Sequence, residues 1–117
     1  MGREMELRRA RRFLMSAPAF YSWEGAGGAP LEGQGKTRDI SFLGAFVLSE
    51  SLPPPGAHLE INVYLPPATG ARKPVQLRGE GKILRVSGKG AAESGFAAEI
   101  IFHIEGLDDA ALLDLIH

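Results

Sequence analysis

The sequence contains no cysteine among its 117 residues, and this absence excludes several kinds of site. It leaves no disulfide, no thiol nucleophile and no cysteine-ligated metal. The chain also has no apolar run long enough to span a membrane, and its N-terminus lacks the apolar segment of a signal peptide. We therefore expect an intracellular, cytoplasmic protein that does not insert into a membrane.

Positive charge is scarce outside the first twelve residues. Residues 1–12 carry five arginines against two glutamates, whereas residues 13–117 carry 8 basic and 12 acidic side chains. This balance argues against a DNA or RNA partner and favours one small anionic target held near the N-terminus. A small barrel that binds single-stranded nucleic acid is an alternative, but the acidic balance and the 8% of aromatic residues oppose it.

Glycine and proline are abundant, with 15 and 8 residues respectively. Such a composition favours many short strands joined by turns over a helix bundle, and a chain of this length forms a single domain. We predict strands at residues 13–23, 37–49, 59–65 and 95–104, and one long strand or two bent ones at residues 75–86. The predicted fold is therefore mainly β, a small antiparallel barrel, with residues 13–117 as the domain and residues 1–12 as a flexible arm.

The pattern changes after Gly106, where the sequence predicts a C-terminal α-helix. Asp108 and Asp109 would lie in its first turn, where acidic side chains favour a helix N-terminus, and leucines follow at helical spacing. Within the strands, Leu59 begins an alternating buried side, and Gly79 and Gly81 are predicted positions for a bulge or a barrel corner.

Two polar motifs stand out. Asp39, Ser41 and Gly44 form a D-x-S-x-x-G pattern in what reads as one strand, so Asp39 and Ser41 should share one face while Phe42 points to the other. Gly44, which lacks a Cβ, would allow a ligand to approach the backbone closely. Upstream, residues 8–12 contain four arginines in five positions, which suits the binding of phosphate or guanine.

The pair R-x-x-x-R (Arg8 to Arg12) followed by D-x-S-x-x-G (Asp39, Ser41, Gly44) resembles the PilZ domain family. The resemblance covers nearly the whole chain. It implies a small antiparallel β-barrel with a C-terminal helix, and a bacterial receptor for the second messenger cyclic di-GMP.

The resemblance also implies roles for these residues. Arg8 and Arg12 would clamp phosphate and guanine, and Arg9 or Arg11 would add a phosphate or stacking contact. Asp39 would accept hydrogen bonds from a guanine, Ser41 would bond the same base or a phosphate, and Gly44 would permit close approach. The arm would become ordered on the ligand and transmit the signal to an unidentified partner protein, without any cofactor.

Leu7 departs from the motif, because a basic residue does not precede Arg8, and this favours a single bound ligand over an intercalated pair. The alternative function is a PilZ-like protein-interaction module that does not use the ligand.

An enzyme is not expected. Ser41 lacks a G-x-S-x-G setting and a histidine placed to activate it, so the sequence indicates no catalytic residue. The histidines His58, His103 and His117 are scattered, and none is predicted to bind a metal.

Overall fold

A computed structural model describes residues 11–66, 75–88 and 93–105. Within these ranges the chain forms seven strands and one 3₁₀ turn, Ala26–Gly28, and no helix there is long and apolar enough to cross a membrane. The strands are β1 (Phe13–Leu14), β2 (Pro18–Glu24), β3 (Pro30–Ser41), β4 (Gly44–Leu48), β5 (His58–Leu65), β6 (Val75–Ser87) and β7 (Gly95–Glu105).

The strands close into a six-stranded antiparallel barrel. They pair in the order β3–β2–β5–β6–β7–β4, and β4 pairs back onto β3, while β1 adds to β3 beyond the end of β2. Closure leaves no open sheet edge around the ring, which removes the unpaired backbone groups of an edge strand. The prediction of an antiparallel β-barrel is confirmed. The predicted C-terminal helix falls in residues 106–117, outside the described residues.

The core fills the barrel interior with side chains from alternate strand positions. On β5 the predicted buried side is confirmed, because Leu59, Ile61 and Val63 are each no more than 1% exposed, and Leu65 is partly buried. On β7 the same alternation buries Phe96, Ala98 and Ile100. This two-residue period is the one that a sheet with one covered face requires.

The strand predicted at 13–23 is in fact two strands, and a threonine on β3 explains the break. The backbone N–H of Ala17 donates to Thr37 Oγ1 at 3.0 Å, and the same hydroxyl donates to the carbonyl of Met15. Thr37 is 1% exposed. Its side chain therefore hydrogen-bonds the backbone where pairing with β3 is interrupted between β1 and β2. These contacts join residues 20 and 22 positions apart, so local sequence does not reveal them.

The strand predicted at 37–49 was also wrong, because a tight turn at Phe42 and Leu43 divides it and the first of the two strands starts already at Pro30. The backbone N–H of Leu43 donates to Ser41 Oγ at 3.2 Å, a serine-centred turn that closes the β3–β4 hairpin. Phe42 consequently lies at the hairpin tip, where it is 79% exposed, rather than beneath the sheet.

Gly79 and Gly81 were predicted as bulge or corner positions, and the β6 bulge lies instead at Leu84, where the β6–β7 register shifts between Ile83 and Arg85. A Cβ on Gly81 would collide with the carbonyl oxygen of Glu99 on β7. Gly81 is therefore a point of close strand approach and not the bulge itself.

Tyr21 joins the barrel to the segment that follows β4. Its hydroxyl donates to Ser49 Oγ at 2.7 Å and contacts the carbonyl of Ser51, while Ser49 Oγ donates to the carbonyl of Gln34 at 2.8 Å. The ring packs edge-on against Phe96, with 4.9 Å between centroids. Burial raises the pKa of Tyr21 above its ordinary value, and the hydrogen bond with Ser49 offsets only part of that rise.

We expect Tyr21→Phe to lower the free energy of unfolding by about 1 kcal/mol at pH 7, because it removes a hydrogen-bonded hydroxyl. Because the pKa of Tyr21 is higher in the folded state than in the unfolded state, its contribution to the free energy of unfolding is complete below about pH 10. That contribution is lost as the pH rises through the folded-state pKa. Urea denaturation should therefore show a smaller difference in the free energy of unfolding between wild type and Tyr21→Phe above pH 10 than at pH 7. Tyr64→Phe, at an exposed position, serves as the control. A difference in unfolding free energy that stays constant with pH would contradict this account.

Candidate ligand-binding site

The polar motif residues lie on the outer face of the sheet formed by β3, β4, β7 and β6, which we call the β3–β6 face. Two rows of cross-strand partners cross it: Asp39, Phe46, Ala97 and Arg85 in one, and Ser41, Gly44, Glu99 and Lys82 in the next. Their sequence neighbours Ala45, Val47, Phe96 and Ala98 belong to the interior cluster. Both rows therefore point outward, and Asp39 shares a face with Ser41 as predicted.

Two arginines lie near the carboxylate of Asp39 on this face, although Asp39 is only 5% exposed. Arg38 Nε donates to Asp39 Oδ2 at 2.9 Å, and Arg12 Nη1 lies 4.0 Å from Asp39 Oδ1. The Arg38 guanidinium also lies 4.0 Å from the centre of the Phe46 ring and 3.7 Å from Glu93 Oε1. A buried carboxylate is thus held by one arginine and approached by a second.

Sequence reasoning missed Arg38, and a bulge explains why. Adjacent residues in a regular strand point to opposite faces, so Arg38 should have faced away from Asp39. The β3–β4 register shifts between Thr37 and Asp39, and this allows the Arg38 side chain to reach Asp39 and the ring of Phe46. A basic residue directly before the motif aspartate was the only signal in the sequence.

Ser41 and Gly44 have structural roles that the motif interpretation did not include. Ser41 Oγ accepts from the N–H of Leu43 at 3.2 Å and lies 3.4 Å from the carbonyl of Gly44, so it builds the hairpin turn. A Cβ on Gly44 would collide with the carbonyl oxygen of Ala98 on β7. Gly44 is therefore needed for the β4–β7 approach, whether or not a ligand approaches it as well.

The arginine cluster is only partly described. Arg8 and Arg9, like Leu7, lie outside the described residues, whereas Arg11 lies 5.7 Å from the centre of the Phe13 ring and Arg12 is exposed. The β1–β3 pairing sets Leu14 opposite Asp39, and this places Arg12 beside the carboxylate. The structure thus brings together the second arginine of R-x-x-x-R and the aspartate of D-x-S-x-x-G.

The depression over the β3–β6 face is shallow, at about 80 Å³. Liquid water occupies roughly 30 Å³ per molecule, so the depression is far too small to enclose a nucleotide. A much larger cavity of about 670 Å³ lies elsewhere on the barrel, where Glu32, Glu60 and Glu80 outnumber Arg78. That negative lining would repel a dianion, so the smaller depression is the better candidate for an anionic ligand.

A cluster of His58, Glu60 and Glu80 on β5 and β6 was not foreseen, since the histidines were interpreted as non-ligands. The nitrogen and carboxylate atoms lie within 4.8 Å of one another, and His58 Nε2 is 3.3 Å from Glu80 Oε2. All three side chains are exposed, and the contact between His58 and Glu80 is a surface pair of the kind that contributes little to stability. The H-x-E spacing in an alternating strand was the available signal.

We expect Gly44→Ala to destabilise the protein without any ligand, by about 1–3 kcal/mol, because the atom it meets is backbone and cannot rotate away. Chemical denaturation of the ligand-free protein measures this. Gly88→Ala is the matched control, since its added Cβ would meet only a side-chain atom of Leu52 at 3.3 Å. Wild-type stability in Gly44→Ala, with a defect confined to binding, would assign the glycine to the ligand instead.

Comparisons with protein-family models and with curated proteins returned no match. Among solved structures, this chain is similar to the PilZ domain with c-di-GMP of YcgR from Escherichia coli. The two sequences are 16% identical, the similarity covers 93% of this chain and 86% of that chain, and the TM-score is 0.42. The candidate site residues rest on this chain's own motifs and geometry.

Proposed function

We propose that this protein is a receptor for cyclic di-GMP, which binds between the arginine-bearing N-terminal arm and the β3–β6 face. The observation that carries the proposal is the meeting of Arg12 with Asp39 across β1 and β3. Neither motif by itself is specific for cyclic di-GMP. Arg12 and Asp39, however, come from segments more than twenty residues apart and lie together on the face that also holds Ser41 and Gly44.

The geometry at Asp39 suits a guanine. Arg38 bonds one carboxylate oxygen, Oδ2, at 2.9 Å, while the other oxygen is 4.0 Å from Arg12, beyond hydrogen-bond length. A carboxylate has about four lone-pair positions, so Asp39 retains acceptors for the N1–H and N2–H₂ donors of a guanine. Because the carboxylate is buried, such bonds would compete with little water.

Phosphate binding would depend on the arm. Arg12 is exposed and adjacent to the base position proposed above, and Arg8, Arg9 and Arg11 are the further guanidinium groups of the proposal. Each residue that becomes ordered costs ~1–2 kcal/mol of backbone entropy. Each charge-assisted hydrogen bond would stabilise the complex by ~1.5–3 kcal/mol. Several contacts must therefore form together, which makes the ligand a bridge between arm and barrel.

Such a bridge would make the protein a switch and not a catalyst. A ligand that binds only the closed arrangement shifts the population toward it, and the surface formed by closure could recruit or release a partner protein. The signal would then pass through protein–protein contact, in agreement with an adaptor role.

Isothermal titration with cyclic di-GMP, beside cyclic di-AMP and GTP, tests the proposal. We expect saturable binding to cyclic di-GMP alone, and a loss of about 10- to 100-fold in Arg12→Ala and in Asp39→Asn, the equivalent of one charge-assisted hydrogen bond. Glu32→Gln, in the acidic cavity, is the control and should bind as the wild type does. No binding at high micromolar ligand would reject the receptor and leave the ligand-independent interaction module.

A further inference from the structure

Arg85 reaches the β3–β6 face because of the bulge on β6. Ile83 pairs with Ala98 and points into the core, where it is 1% exposed, and in a regular strand Arg85 would share that interior side. The extra residue, Leu84, reverses the alternation, so that Arg85 pairs with Ala97 and lies exposed on the outer face. The bulge thus presents a guanidinium group where regular pairing would have buried it.

Arg85 lies at the far end of the row that begins at Asp39. Phe46 and Ala97 separate them, so the two backbones are three strand spacings apart, ~14 Å at the usual distance between neighbouring strands. Arg85, Leu84 and Asp39 all line the same depression. A ligand held at both ends therefore has the length of a dinucleotide rather than that of a single base.

The surroundings of Arg85 include an apolar surface that suits a base. Leu84 is 49% exposed beside it, an apolar surface on which a purine ring can pack. Among the described residues, Arg85 forms no ion pair with a carboxylate, so its donors can serve a ligand.

We infer that Arg85 reads the second guanine of cyclic di-GMP, through the O6 and N7 acceptors that an arginine fork matches. The inference rests on the proposed function and extends it. Asp39 with Arg38 and Arg12 would then hold one guanine at one end of the β3–β6 face, and Arg85 would hold the other guanine at the opposite end.

The test compares cyclic di-GMP with the mixed dinucleotide cyclic GMP–AMP, in which one guanine is replaced by adenine. Adenine presents an N6 donor where guanine presents O6, so the wild type should prefer cyclic di-GMP. Arg85→Ala should weaken cyclic di-GMP binding about tenfold and remove that preference. Arg85→Gln, whose amide matches adenine, should shift the preference toward the mixed ligand.

Arg78→Ala is the matched control, because it removes an exposed arginine from the same strand that lines the acidic cavity and not the depression beside Arg85. It should leave both affinities unchanged. Equal weakening of both ligands in Arg85→Ala would assign the residue to a phosphate or to general charge and overturn the inference, as would no change at all. Failure of the wild type to bind cyclic di-GMP would instead reject the proposed function, and this inference with it.

Discussion

The pairing of β3 with three other strands is the constraint on which the rest of the structure depends. Its first half pairs with β2, its second half with β4, and β1 adds beyond β2. The same twelve-residue strand therefore closes the barrel, carries Asp39 and Ser41, and holds the chain next to Arg12. If β3 were shortened at its C-terminal end, barrel closure and the candidate site would be lost together, because Asp39 and Ser41 belong to the β3–β4 pairing that closes the barrel.

The sequence predicted those parts of the fold that local alternation determines. The buried sides of β5 and β7 follow from a two-residue period, and the closed barrel follows from several such strands separated by glycine and proline. The β3–β4 turn was missed because apolar residues continue through it. Ser41 and Gly44 were therefore predicted to lie in one continuous strand and were given ligand roles only. The break before β2 was missed because Thr37, which stabilises it, is distant in sequence.

The residues of the candidate site likewise divide into those that the sequence predicted and those that it did not. Asp39 and Ser41 could be placed on one face from their spacing alone, whereas Arg38 and Arg85 could not. Both arginines stand at register shifts, one on β3 and one on β6, and a bulge cannot be inferred from residue type when neither position is a glycine. The sequence motif therefore describes one half of the β3–β6 face, and backbone irregularity supplies the other.

The pairing of β1 with β3 through only Phe13 and Leu14 has a kinetic consequence. Arg12 is tethered directly to this two-residue ladder, so its encounter with anything bound at Asp39 is intramolecular. For short tethers the effective concentration of such a group is on the order of millimolar. If cyclic di-GMP binds as proposed, its capture by Arg12 would therefore be limited by the arrival of the ligand at Asp39.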